Sequence, residues 1–339
     1  MSINNDKFIF LSVIIPVWNR EKEILDLIKS IAGQLFDQQS EIIVVDDASS
    51  DETVLSVKKL RIIYKNLIII QLDQHQGAAA ARNKGLEVSC GKYVWFIDSD
   101  DYVRYGALNL ILNELIDKNP DILRFDKQDS KNINQEYNVP IDKNLFISCF
   151  DLKREINGLK ICLSMGSVWN AVFSRSVIGN IRFDETFAYG EDALFTWAVS
   201  LNSRKCVYIH APLYIYMFTP ESLTAYKTVK RFECYMHQIE CFIHLITQSD
   251  ISQRMKSNLY EECYWRVYSH AFGCYGVFEI DKRMWKSWKG VYYRVMILNK
   301  KRSFLRRLIS RLLFLFLTKY MAYALFRIFV FSRYFKMCY

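Results

Sequence analysis

The chain has 339 residues, 51% of them apolar and 15% aromatic, which excludes bulk disorder and leaves room for one large domain with an appended piece. The net charge of +9 is uneven: Asp281 to Tyr339 holds fifteen Lys or Arg and one acid, a net of +14, so the first 280 residues carry −5. Nine scattered cysteines, with no C-x-x-C pair and no His at zinc spacing, exclude a disulfide scaffold and a zinc site and read as reduced thiols of a cytosolic protein.

Met1 to Phe10 is polar and lacks the cationic start and apolar core of a secretory leader. Leu11-Ser12-Val13-Ile14-Ile15-Pro16 predicts a strand that the proline ends. Glu21 to Ile31 carries apolar residues at 24, 25, 27, 28 and 31, the spacing of a helix. Then follow a strand over 41–45, a helix over 51–64, a strand over 67–72 and a helix over 77–88. A strand over 92–97, a helix over 105–117 and a strand over 121–125 complete the run. Such alternation predicts a parallel sheet covered on both faces. Residues 126–144 are polar without a period and read as a loop or loose hairpin. A second block, 150–217, contains a helix near 191–203 and strands near 205–209 and 213–217. From Tyr226 onward nearly everything reads as helix.

Ligands of an open α/β sheet bind beyond the carboxyl ends of its strands. Val94-Trp95-Phe96-Ile97 releases Asp98, Ser99, Asp100 and Asp101 at such an end. Carboxylates crowded there call for a hard divalent cation, Mg²⁺ or Mn²⁺. The competing reading is that Ser99, Asp100 and Asp101 cap a helix beginning near Arg104. Asp46 and Asp47 close an earlier strand, where a carboxylate can accept from a base N–H or ribose hydroxyls, while Ser50 or Asp51 caps the next helix. After the first strand, Pro16-Val17-Trp18-Asn19 turns toward the same crevice. His75 to Gly85 opens a helix with small residues that lie close to the sheet or a ligand, and Arg82 can meet a phosphate or hold an acid. Glu191 and Asp192, in Tyr189-Gly190-Glu191-Asp192, are either a base pair for catalysis or a favourable acidic first turn.

In combination these motifs resemble the family 2 glycosyltransferases. The matching stretches are SVIIPVWN, IIVVDDASSDET, GAAAARNKG before YVWFIDSDD, and the later WNAVFSR and YGEDALFTWA. The resemblance covers about residues 10–220 and implies a GT-A fold: a Rossmann-like, mostly parallel sheet with helices on both faces. It implies a catalytic domain over 1–220, with nucleotide-sugar binding at about 8–127 and the acceptor part at about 150–220. A helical, basic region over 221–339 follows. By the same resemblance Pro16 and Val17 line the nucleoside pocket, Asp47 or Asp46 meets the base, and Asn19, Arg82 and Ser99 belong to the donor site. Asp98 and Asp100 match the DxD element that holds ribose and a Mn²⁺ or Mg²⁺ ion on the diphosphate. Trp169 lies near the donor or acceptor sugar, or in the core. Asp192, with Glu191 beside it, supplies the base. The implied reaction is inverting transfer of a hexosyl or N-acetylhexosaminyl group from a nucleoside-diphosphate sugar, a UDP-sugar, to a glycan or lipid-linked acceptor of surface polysaccharide.

Ser303 to Tyr339 alternates basic residues with Phe, Leu and Tyr, and no uncharged run in it exceeds seven residues. That is too short for a membrane span. It fits a segment lying on an anionic membrane on the cytosolic side, or a helical subdomain packing on the core or a second subunit. Nucleic acid is a poorer fit. Two other functions compete: a nucleotidyltransferase with a related sheet, for which only Arg20 and Lys22 follow the first strand as phosphate grips, and an inactive membrane-bound scaffold, against which the intact acids argue.

Overall fold

A computed structural model describes residues 8–34, 39–130, 141, 145–217, 229–274 and 291. The chain divides into two compact units, Met1–Leu223 and Thr224–Tyr339. In the first, β1 (Leu11–Val17), α1 (Glu23–Ala32), β2 (Ser40–Asp46), α2 (Thr53–Arg61), β3 (Leu67–Gln71), α3 (Ala78–Val88) and β4 (Tyr93–Phe96) alternate as expected. They are followed by β5 (Tyr102–Val103), α4 (Ala107–Lys118), β6 (Ile122–Ser130), β7 (Ile147–Asp151) and α5 (Ile156–Ser164). The unit ends with β8 (Ala171–Ser174), α6 (Arg175–Ile178), α7 (Glu191–Asn202) and β9 (Lys205–Met217).

The nine strands among the described residues join one sheet in the order β3-β2-β1-β4-β8-β6-β9-β5, with β7 also on β9. β3, β2, β1 and β4 run parallel. Beyond β4 the sheet is mixed: β8 is antiparallel to β4 and β6, while β6 and β9 are parallel. β1 and β2 are buried along their whole length. Apolar side chains therefore fill both of their faces, as a sheet with helices above and below requires. Leu11, Val13, Ile15 and Val17 face a core built with α1, α2 and α4. Ile14 faces the other way onto α3, where a Cβ at Gly85 would overlap the Ile14 Cγ2 methyl. The small residues of α3 thus serve close packing.

Several expectations are corrected. Pro16 does not end β1; it pairs with Val45 and the strand runs to Val17. The β1–β4 ladder stops at Ile14 and Phe96, with one further bond from Ile97 N to Ile14 O. Pro16 lies two residues on, on that same side, so its missing N–H falls where the neighbour has left. Residues 126–130, expected as loop, extend β6, and the two expected strands over 205–217 are one thirteen-residue β9 with irregular register opposite Phe125 and Asp126. β5, β7, α5, β8 and α6 carried no expectation.

In the second unit α8 (Val229–Gln248) and α9 (Gln253–Cys274) break at 249–252 and bury Met236, Ile239, Phe242, Ile246, Met255 and Leu259. Among the described residues no helix is long and apolar enough to cross a membrane. The basic tail, 303–339, lies outside the described residues.

Candidate active site

The crevice opens where β4 stops short. None of Ser99, Asp100 and Asp101 caps a helix, because β5 and Gly106 intervene before α4. The side chains of Asp98 and Asp100 stay partly exposed, at 28% and 32%. Asp101 instead turns inward and is 1% exposed. It accepts the Tyr214 hydroxyl and the Met217 N–H, both at 2.7 Å, and so pins the end of β9 to the rim. Burial and the charges of Asp98 and Asp100 push its carboxyl up to about 8. Asp100 is also raised, by burial and by Asp98, and Arg20 at 4.0 Å offsets only part of this. Crowding of this kind, with hard oxygen donors, suits a divalent cation. Among the described residues no group of three metal-binding side chains is found.

A second polar group gathers at the termini of β1 and β2. Asp47 accepts from Gln76 N and Gly77 N at 2.7 Å each, and from the His75 ring at 2.9 Å. It thereby clasps the loop leading into α3. Asp46, 1% exposed, accepts from Ser49 N at 3.1 Å, while its Oδ1 is buried without a partner among the described residues. Asn19, in the left-handed region at φ 51, accepts from Ser50 N at 2.8 Å and ties β1 to the β2 turn. Asp51 accepts from Thr53 N at 3.1 Å in the turn before α2, whose N-cap position is Glu52. Pro16 is buried at the rim. Val17, expected to line the pocket, is 2% exposed and belongs to the core beneath the sheet. Its neighbour Trp18, placed by sequence in the stretch turning toward the crevice but given no role of its own, is 49% exposed and stacks on His75 at 4.3 Å, an aromatic platform beside Asp47. A large aromatic following a buried strand was the available signal.

Arg82 joins the two acidic motifs. Its guanidinium donates to Asp98 Oδ1 and to Glu191 Oε1, each at 2.8 Å, and lies over the Phe183 ring. The residues are 16 and 109 positions away in the chain. Burial works against the Arg82 charge, but Asp98, Glu191 and Asp192 outweigh it and raise its pKa. Gly190, at φ 81, turns the chain into α7, so Glu191 and Asp192 form the first turn. Behind them Phe195 stacks on Phe183 at 4.1 Å and fixes the helix. Burial and the Glu191 charge push the Asp192 carboxyl up to about 7. Asp192 Oδ1 also accepts from Ala193 N, within the acidic first turn of the helix.

Trp169 is half-buried, in a stack with Tyr214 at 4.7 Å and Tyr216 at 5.6 Å. Lys127 lies over Tyr216. The stack adjoins the rim through the Tyr214 hydroxyl, which also receives Asp98 N at 3.3 Å. Ser99 is half-buried beside Asp98.

A parallel half-sheet with carboxylates at its broken rim, facing an acidic helix start, defines the GT-A class. Comparisons with known proteins agree. The sequence profile of Glycosyl transferase family 2 matches residues 12–181. The chain is 31% identical over 240 residues to the GalNAc(5)-diNAcBac-PP-undecaprenol beta-1,3-glucosyltransferase of Campylobacter jejuni, covering 68% of this chain and 72% of that one. It therefore belongs to glycosyl transferase family 2 and is an enzyme of the glycosyltransferase type, related to proteins of bacterial glycan synthesis. Several other curated relatives are longer, and the match takes up about a third of them or less. Among solved structures, S. aureus TarS in complex with UDP-GlcNAc superposes with a TM-score of 0.70 at 24% identity, over 86% of this chain and 81% of that one. The mannosyltransferase PcManGT from Pyrobaculum calidifontis, in complex with GDP-Man and Mn²⁺, gives 0.55 at 14% identity, over 87% and 88%. Both likenesses concern the fold.

Proposed function

We propose that this enzyme transfers a sugar from a UDP-sugar to a hydroxyl of a glycan or lipid-linked acceptor, with inversion at the anomeric carbon. One observation carries the reading: Arg82 bridges Asp98 and Glu191 at 2.8 Å, so the donor-side and acceptor-side carboxylates share one crevice. Trp18 offers a face for the base, with Asp47 beside it and the unpartnered Asp46 Oδ1 behind. Asp98 and Asp100 would hold Mn²⁺ or Mg²⁺, which supplies Lewis-acid neutralisation of the departing diphosphate. Asp192 takes the proton of the acceptor hydroxyl as that oxygen bonds to the anomeric carbon and the bond to the diphosphate breaks. A base titrating near 7 is matched to this task. The acceptor is itself the nucleophile, so no sugar becomes attached to the enzyme.

The donor class is supported by the UDP-GlcNAc complex of the structural relative, and the acceptor class by the undecaprenol-linked substrate in the name of the Campylobacter relative. The basic tail would keep the enzyme on the cytosolic face of a membrane. Calorimetry with UDP, with and without Mn²⁺, followed by a panel of sugar nucleotides assayed for turnover, tests the reading. Mn²⁺-dependent UDP binding and turnover of one donor are expected; absence of nucleotide binding sinks it.

A further inference from the structure

α2 has apolar residues on two opposite sides. Thr53, Val57 and Leu60 are buried, at the spacing of one helix face. The outward stripe is Leu55, Lys58, Lys59 and Ile62, at i, i+3, i+4 and i+7, continued by Ile63. Leu55 is 48% exposed, Ile62 72% and Ile63 68%. Single exposed aliphatics are ordinary, but three on one stripe with interleaved cations are not. Lys58, Lys59, Arg61 and Lys65 are all exposed, and no carboxylate among the described residues pairs with them. Thr53 to Leu72 contains no acid, although the first 280 residues carry a net negative charge.

We propose that this stripe seats the catalytic unit on an anionic lipid surface. Leu55, Ile62 and Ile63 enter the headgroup boundary, while Lys58, Lys59, Arg61 and Lys65 meet lipid phosphates. Charge selects this occupant. A second copy docked by the same stripe would set like cations against each other across a two-fold axis. The C-terminal stretch over 281–339, at +14, is repelled for the same reason. A nucleic acid would satisfy the cations and leave the aliphatics in water. An anionic bilayer accommodates both. The contact is distinct from the tail and does not depend on the identity of the sugar donor.

The test uses the full chain, sedimented with vesicles of phosphatidylcholine mixed with phosphatidylglycerol, and with phosphatidylcholine alone. Wild type binds only the mixed vesicles. Two variants, Lys58→Glu/Lys59→Glu and Ile62→Ser/Ile63→Ser, each bind about tenfold more weakly or worse. Both keep the wild-type melting temperature and UDP affinity, because every substituted side chain is exposed. Undiminished vesicle binding by either variant overturns the proposal. So does a wild-type protein that ignores vesicles but changes from dimer to monomer when the isoleucines are replaced.

Discussion

One guanidinium holding two carboxylates from distant parts of the chain makes Arg82 the most consequential single residue. Its side chain is only 6% exposed. Arg82→Met leaves Asp98 and Glu191 facing one another without a cation, and stability should fall by about 3 kcal/mol in denaturant unfolding. Arg82→Lys recovers little, because a single ammonium cannot reproduce the fork. Asp192→Asn should lower kcat by roughly 10²- to 10⁴-fold while leaving UDP affinity intact. In the wild type kcat should decline as pH drops below about 7, where Asp192 becomes protonated. The same group predicts a stability effect of known sign. Its folded pKa lies above the ordinary carboxylate value, so the native state holds the proton more tightly, and stability is lost as pH rises from about 4 to 7. Asp192→Asn escapes that loss: its melting temperature should match wild type near pH 4 and exceed it at pH 8. Asp100→Asn should abolish the Mn²⁺ dependence of UDP binding in calorimetry. The positions of the acids at 98, 100, 191 and 192, after a strand and at a helix start, were legible because the apolar runs beside them mark where β4 ends and α7 begins. Asp101 was misread, since nothing local marks its partners Tyr214 and Met217, more than a hundred residues away.

Elements were readable wherever the apolar period was uninterrupted. β1 to β4 alternate with α1 to α3, and their unbroken apolar strand runs and helical spacing survive in the sequence. β7, α5 and β8 were not legible. They are short, and β8 takes its place between β4 and β6 only through long-range antiparallel pairing. Pro16 misled for a related reason: whether a proline breaks a ladder depends on which neighbour its nitrogen faces, and that is a property of the sheet. α3 offers a direct test of packing. Gly85→Ala should destabilise by about 2 kcal/mol in urea unfolding, because Ile14 has no room to give. Adding Ile14→Ala should cost less in that background than in the wild type, the mark of a shared contact.

At the scale of the molecule, charge separates two regions that composition averages together. The first 280 residues are net negative and hold the crevice, and a stretch of +14 over 281–339 follows them. Deleting residues 303–339 should lower co-sedimentation with phosphatidylglycerol-containing vesicles while UDP binding persists, since every residue of the crevice lies before Thr224. Unchanged sedimentation of the shortened chain would show that the tail contributes nothing to membrane contact.

The sequence by itself determined the family, the alternating half of the sheet and the acidic ends of its strands, because those features are local: periodicity, strand-end carboxylates and small residues in a set order. Tertiary structure alone decided which acids meet. The Arg82 bridge, the inward turn of Asp101, the burial of Val17 and the exposed face of Trp18 all depend on where β4 stops and how β9 returns beside it. Those are long-range pairings that no short stretch of chain encodes.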